Sequence, residues 1–268
     1  MVDQPIIMGV LNITPDSFSD GGLFFEAQSA IDQAVLMVEQ GADIIDIGGE
    51  STRPGAPEVS AEDELKRVLP VIEALSGNID VPISIDTSKP VVMRRAFDAG
   101  ASIINDVYAL RSEGALEMAA SLGADVCLMH MQGNPRTMQK NPKYDDVVSD
   151  VKIFFTERLE ACSGVGIKLE SITLDPGFGF GKNLAHNIAL LKNLAEFHDF
   201  GVSILAGLSR KSMIGSLLGD KEVDSRMIGS VTAALIAVEN GANIIRAHDV
   251  AETKDALTVW QQIKHFRE

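Results

Sequence analysis

Cysteine is scarce: two residues, Cys127 and Cys162, in 268. Cys127 lies inside an apolar run, and two distant thiols make no disulfide framework. Histidine numbers five and is scattered, without the spacing of a zinc site. No apolar run approaches the roughly 18 residues that span a bilayer. The opening Met-Val-Asp-Gln-Pro has no basic segment, so no leader is expected. Positive charge is also short. Lys and Arg total 23 against 38 Asp and Glu, a formal net charge of −15. That balance argues against nucleic acid and anionic membrane as partners, and together these absences place the chain in the cytoplasm. Small anionic substrates stay possible, and any local cation cluster becomes informative. No P-loop and no Gly-x-Ser-x-Gly elbow is present. Gly177-Phe-Gly-Phe-Gly181 is not the dinucleotide fingerprint.

What is there is a repeated unit. The runs beginning at Gly41, Gly100, Gly123 and Gly241 each read Gly-Ala, a polar residue, then an apolar stretch. Helical spacing precedes them: Ile31, Ala34, Val35 and Val38 before the first; Val92, Ala96 and Phe97 before the second. The glycine fits the left-handed residue past a helix end. The run after it fits a strand of a parallel sheet covered on both faces. Eight such strands are expected, over 6–12, 44–48, 83–86, 103–106, 126–130, 172–175, 202–207 and 243–248. Helices are expected near 144–161 and over 182–198, the latter capped by Asn183. The stretch 132–143, with two prolines, reads as a loop. The acidic run 58–64 reads as a solvated first helical turn. Eight alternating units in this length predict a single-domain α/β fold over 1–268, a closed (β/α)8 TIM barrel.

The barrel places function at the C-terminal ends of its strands. Those ends carry Asn12, Asp46, Asp86, Asn105 with Asp106, His130, Asp175, Ser209 with Lys211, and Arg246 with His248. Each has a plainer reading. Asp86 is a possible cap for the helix after it, Asp175 part of a turn, Lys211 a solvated lysine, Arg246 a salt-bridge partner, and His130 a structural histidine. A pocket mixing carboxylates, an amide and cations suits a planar heterocycle. Asp86 or Asp175 would accept from an amidine-like edge, Lys211 would take a ring carbonyl, and Asn105 can do both. Arg246 with His248 suits a phosphate, and Asn12 suits Mg²⁺ held mainly through water and phosphate. After the first strand comes a long loop carrying Asp16, Phe18 and Asp20. It is either a surface turn or a mobile lid rooted at Asn12.

At this point seven blocks, at 8–22, 46–55, 84–87, 104–106, 174–180, 209–212 and 246–248, resemble the bacterial dihydropteroate synthase family in order along nearly the whole chain. One departure is at the start, where five residues precede Ile6 and many members carry a longer lead-in. The resemblance implies condensation of 6-hydroxymethyl-7,8-dihydropterin diphosphate with 4-aminobenzoate to 7,8-dihydropteroate and diphosphate. It implies that Thr52, Asp86, Asn105, Asp175, Lys211, Arg246 and His248 bind the pterin diphosphate. Phe18, Arg53, Pro54, Ser209 and Ser212 would shape the 4-aminobenzoate site, and Asn12 would serve Mg²⁺. Asp20, Lys211 and Arg246 would act in catalysis, and the protein would be a homodimer. Two alternatives are a methyltetrahydrofolate-dependent methyltransferase domain and a pterin-binding barrel without activity. The first leaves Arg246, His248 and the Asn12 loop unexplained. The second would bind pterin without turnover.

Overall fold

In a computed structural model, residues 4–13, 22–51, 55–134 and 137–266 are described, 22–26 by backbone alone. Eight strands pair in chain order, all parallel: β1 (Ile6–Asn12), β2 (Ile44–Gly48), β3 (Ile83–Asp86), β4 (Ile103–Asp106), β5 (Asp125–Met129), β6 (Ile172–Asp175), β7 (Ser203–Ala206) and β8 (Ile244–Ala247). β8 closes on β1, so no sheet edge is left open. Around them run α1 (Gly22–Glu39), α2 (Ala61–Leu75), α3 (Pro90–Ala99), α4 (Ala115–Leu122), α5 (Val147–Gly164), α6 (Leu184–Lys192), α7 (Ser212–Leu217), α8 (Met227–Glu239) and α9 (Val250–Lys264). This is the expected (β/α)8 barrel. Among the described residues, no helix is long and apolar enough to cross a membrane.

The strands are apolar on both faces because both are covered. Ile7, Leu11, Ile45, Ile47, Ile85 and Leu174 belong to the main core, which includes helix residues such as Val68, Val92 and Phe155. The opposite parity points inward. There Met8, Ile44, Cys127, Leu205 and Ile244 pack together with Ile103. Each lies two residues before an interior position nearer the active mouth, among them Asp46, Asn105 and Arg246. The strands therefore fill the barrel interior with their own apolar side chains, and the polar groups rest on that floor.

Local differences from expectation have local causes. The helix expected over 182–198 is capped by Asn183, whose side chain accepts from the His186 N–H at 2.9 Å. It stops at Lys192 because Asn193 turns both its N–H and its side-chain amide onto the Ala189 carbonyl. A 3₁₀ segment, Leu194–Phe200, follows. α5 starts at Val147 because Asp146 caps it, accepting from the Ser149 N–H at 2.7 Å. β5, β7 and β8 are each shifted or trimmed by a residue or so at their ends. On α1, Val35 is exposed, and Ala30, Ala34 and Met37 form the buried stripe.

The acidic run is the larger correction. Ser60 caps α2, and Glu62 and Asp63 lie in solvent with Lys66. Glu64 does not: it is completely buried. It shares one helix face with Val68, Val71, Ile72 and Leu75, and its Oε2 meets Lys89 Nζ at 2.6 Å. Lys89 also binds Glu50, whose other oxygen accepts the Val59 N–H at 3.1 Å. Glu50 thereby links Val59 to Lys89 at the start of α3.

Candidate active site

On the apolar floor stands a tier of charge drawn from six strands or their ends. Asp46 comes from β2, Asp86 from β3, Asn105 from β4, Asp175 from β6, Arg246 from β8, and Lys211 from the turn between β7 and α7. Arg246 crosses the barrel. Its Nε donates to Asp46 Oδ2 at 2.6 Å and its Nη2 to Asp86 Oδ2 at 2.8 Å. Asn105 donates to the same Asp46 oxygen at 2.9 Å. Asp46 is wholly buried, and its Oδ1 has no hydrogen-bond partner among the described residues. A buried orphan acceptor of this kind costs stability and suits a donor-rich ligand.

Asp175 and Lys211 form the second half of the tier. A Cβ placed on Gly207 would lie 3.8 Å from Arg246 Cβ, 3.9 Å from Lys211 Nζ and 4.0 Å from Asp175 Oδ2. The three side chains thus converge over one bare backbone position. Lys211 Nζ donates to the Phe178 carbonyl and sits 4.5 Å from the centroid of the Phe180 ring. Asp175 Oδ1 accepts the Gly177 N–H at 2.8 Å. The turn reading of Asp175 is right for one oxygen, and the other stays with the tier.

Crowding sets the protonation. Burial pushes Asp86 up to about 7, against the pull of Arg246 and with the help of the negative Asp46, Glu64 and Asp106. Burial brings Lys211 down to about 8, with Arg246 acting in the same direction and Asp175 and Asp86 against it. Asp175 is raised by burial despite Lys211, the Gly177 N–H, Lys182 and Arg246. For Arg246, burial opposes the charge, and Asp46 and Asp86 more than offset it. Carboxyls shifted up beside a lysine shifted down, in one cleft, mark a functional site.

The plainer readings divide. Asp86 does not cap α3, whose start has no side-chain cap. Lys211 turns inward rather than into solvent. Arg246 is a salt-bridge partner, but inside the tier. His248 stands at the rim, its Nδ1 3.0 Å from Ser209 Oγ and its N–H 3.2 Å from the same oxygen. Ser212 is exposed at the start of α7. His130 is structural: buried, edge-on to Phe154 at 4.9 Å, and held down to about 2 by burial and the neighbouring Lys182. Asp16, Phe18, Asp20, Thr52, Arg53 and Pro54 lie outside the described residues. A cavity of about 570 Å³ opens beside Asp86 and is bordered by Glu50, Ser51, Lys89, Tyr108 and Asn134.

Asn12 ends β1, and its Oδ1 borders Gly48 next to Asp86. Among the described residues no three His, Cys, Asp or Glu side chains gather as metal ligands. One neutral oxygen near a carboxylate fits Mg²⁺ bound mainly through water and a diphosphate, and does not fit a protein-caged metal. Sequence reading left Asp46 without a role, placed Glu64 in solvent, and gave Glu50, Lys89 and Lys182 no part in the site. Asp46 left a trace: it is the charged residue in an apolar strand, on the inward parity.

The pterin binding enzyme family matches residues 8–248. The dihydropteroate synthase of Haemophilus influenzae is 58% identical over 257 residues, covering 96% of this chain and 93% of that protein. The structure of Xanthomonas albilineans dihydropteroate synthase with 4-aminobenzoic acid has a TM-score of 0.94 at 50% identity, covering 99% of this chain and 95% of the other. The same enzyme in complex with 7,8-dihydropteroate has a TM-score of 0.91 at 47% identity, covering 100% and 96%. The seven blocks and the barrel agree with these likenesses, and the chain belongs to the pterin-binding enzymes, in the dihydropteroate synthase family.

Proposed function

We infer that the protein condenses 6-hydroxymethyl-7,8-dihydropterin diphosphate with 4-aminobenzoate, giving 7,8-dihydropteroate and diphosphate. The observation that carries this is the convergence of Asp175, Lys211 and Arg246 over Gly207, facing Asp86 and Asn105. The carboxylates accept from the amidine-like edge of the pterin, and Lys211 and Asn105 complete its polar outline. Relatives solved with 4-aminobenzoic acid and with 7,8-dihydropteroate support the same substrate pair.

The reaction breaks the C–O bond to diphosphate, forms a C–N bond to the arylamine, and releases one proton from nitrogen. The arylamine is neutral near pH 7, so no strong base is needed to prepare it. Electron release from the dihydropterin ring stabilises the developing cation, which favours an SN1-like order of events. Arg246, His248 and Thr52 stabilise charge on the departing diphosphate. Asn12 is the residue that would hold Mg²⁺ together with the diphosphate, and the ion would supply further positive charge there. Phe18, Arg53, Pro54, Ser209 and Ser212 border the 4-aminobenzoate. Asp20 acts from the loop after β1, which together with segment 50–59 excludes water from the cation. The chain works as a single domain in a cytoplasmic homodimer, checked by light scattering and cell fractionation.

The test is diphosphate release from the pterin substrate with Mg²⁺, with and without 4-aminobenzoate. Release coupled to dihydropteroate formation is expected. Release without any new C–N bond would keep the ionisation step and remove the nucleophile. Bound pterin with no release would leave a binding protein without activity.

A further inference from the structure

Loop 176–181 carries the carbonyl that Lys211 uses, yet it is wound around a different cation. Lys182 is 3% exposed. Its Nζ lies 2.9 Å from the Gly177 carbonyl, 3.0 Å from that of Phe180, 3.3 Å from that of His130 and 2.9 Å from His130 Nδ1. The three carbonyls can only accept. His130, neutral at any working pH, can present Nδ1 as an acceptor with its proton on Nε2. Four acceptors around one nitrogen select the ammonium form, which has three protons, over the amine, whose lone pair would face an acceptor. Burial still pulls the Lys182 pKa well down, and the negative Asp175 opposes that.

The glycines make this winding possible. Gly177, Gly179 and Gly181 have φ of +71°, +83° and +63°. A Cβ on Gly177 would fall 1.9 Å from the His130 oxygen, and one on Gly181 2.7 Å from the Gln132 oxygen. The loop is therefore pressed against residues 130–132, with its Gly177 and Phe180 carbonyls turned inward onto Lys182 Nζ. Lys182 takes the Gly177 and Phe180 carbonyls, and the Gly179 carbonyl accepts from Gln139 Nε2. That leaves the Phe178 carbonyl pointing outward to Lys211, and the Gly177 N–H placed on Asp175.

We propose that Lys182 is a positioning residue for pterin recognition, an internal cation that fixes loop 176–181 so that Asp175 and Lys211 hold their binding geometry. This rests on the reading of Asp175 and Lys211 as pterin-binding groups. A merely structural lysine would affect folding alone. A positioning lysine also acts on Asp175 electrically. The charged and titratable groups facing Asp175 are Lys211 beyond β7, Arg246 on β8, Lys182 in its own loop and the Cys127 thiol on β5. Removing one of three cations raises the Asp175 pKa, so activity is lost at higher pH as the solution is acidified.

Steady-state kinetics of Lys182→Met should show KM for the pterin diphosphate raised by about tenfold or more, the scale seen when an outer supporting group is lost. KM for 4-aminobenzoate should change less than about twofold, and the acid limb of kcat/KM should move upward. In Lys182→Ala, n-propylammonium should restore pterin affinity and tetramethylammonium, which has no N–H, should not. If neither variant folds, ¹⁵N spectra of lysine in the unaltered enzyme decide: a slowly exchanging ammonium signal that shifts when the pterin substrate is added supports the proposal, and no such signal, or one that the pterin leaves unmoved, overturns it. Unchanged pterin KM, or equal loss for both substrates with an unmoved acid limb, also overturns it. Asp175→Asn and Lys211→Ala are measured alongside. If neither weakens pterin binding, the site reading itself has failed; if both do and Lys182→Met does not, only the role of Lys182 is lost.

Discussion

Asp86→Asn should make the ligand-free protein more stable at pH 8 while weakening its grip on pterin. The Asp86 side chain is 12% exposed and gives Oδ2 to Arg246 Nη2 at 2.8 Å. Burial raises it from its ordinary 3.8 to about 7. Between those values the native protein holds a proton that the unfolded chain has released. Native stability therefore declines as pH rises from about 4 to about 7 and then levels off. At 1.36 kcal/mol per pH unit, the ionised carboxylate costs the native state at most about 4 kcal/mol at pH 8. Asparagine keeps the shape, cannot ionise, and still offers Arg246 an oxygen, while Arg246 keeps Asp46. Urea unfolding followed by circular dichroism, at pH 4.5 and pH 8 without ligand, reads the difference. The variant should gain up to about 4 kcal/mol at pH 8 and only about 1 kcal/mol at pH 4.5. A lower unfolding midpoint for the variant at pH 8, or a parent–variant gap independent of pH, would refute the argument. Calorimetry with the pterin substrate should move in the opposite direction, since the same charge accepts the ligand's donors.

Three further outcomes follow from the same geometry. Lys89→Met leaves the buried Glu64 without its cation and should cost about 3 kcal/mol in urea unfolding, much of it recovered in Lys89→Met/Glu64→Gln; a midpoint within error of the parent would remove Lys89 from its anchoring role. Gly177→Ala drives a methyl into the His130 carbonyl at a left-handed position, so thermal melts should fall and pterin affinity with them, and intact affinity by calorimetry would contradict the wound loop. Chelation with EDTA should abolish turnover and added Mg²⁺ restore it; activity that survives EDTA would exclude Asn12 as a metal ligand.

The barrel was legible because its signals are local. Each Gly-Ala pair marks a helix end, and Gly41, at φ +96°, has the left-handed backbone such an end requires. Apolar runs then mark the strands, and counting eight of them closes the sheet. Strand-end polar residues were legible for the same reason, since parity and position along a strand are sequence properties. What joins them was not. Arg246 reaches Asp46 across 200 positions and Asp86 across 160, and no spacing rule connects them. Lys182 looked like an ordinary residue beside a helix cap because its cage is made of backbone carbonyls, which leave no mark on composition. Glu64 is a different case. It stands at the i position of a stripe continued by Val68, Val71, Ile72 and Leu75, so helical periodicity alone was enough to bury it.

The charge count of the tier decides how the substrate sits. Asp46, Asp86 and Asp175 face two cations, Arg246 and Lys211, on a floor of Met8, Ile44, Leu205 and Ile244 that offers no solvation. Acceptors outnumber donors at this depth, and Asp46 still has an oxygen unpaired. A diphosphate placed there would set its negative charge beside three carboxyl groups in a low-dielectric interior. A neutral heterocycle with several N–H groups would relieve the excess and satisfy the orphan acceptor. This is the reason for proposing the pterin ring in the depth of the barrel and the diphosphate above it, between Arg246 and the rim residues Asn12, Ser209 and His248. In that arrangement the carbon between ring and leaving group faces the barrel mouth, where an arylamine arriving from the rim would meet it.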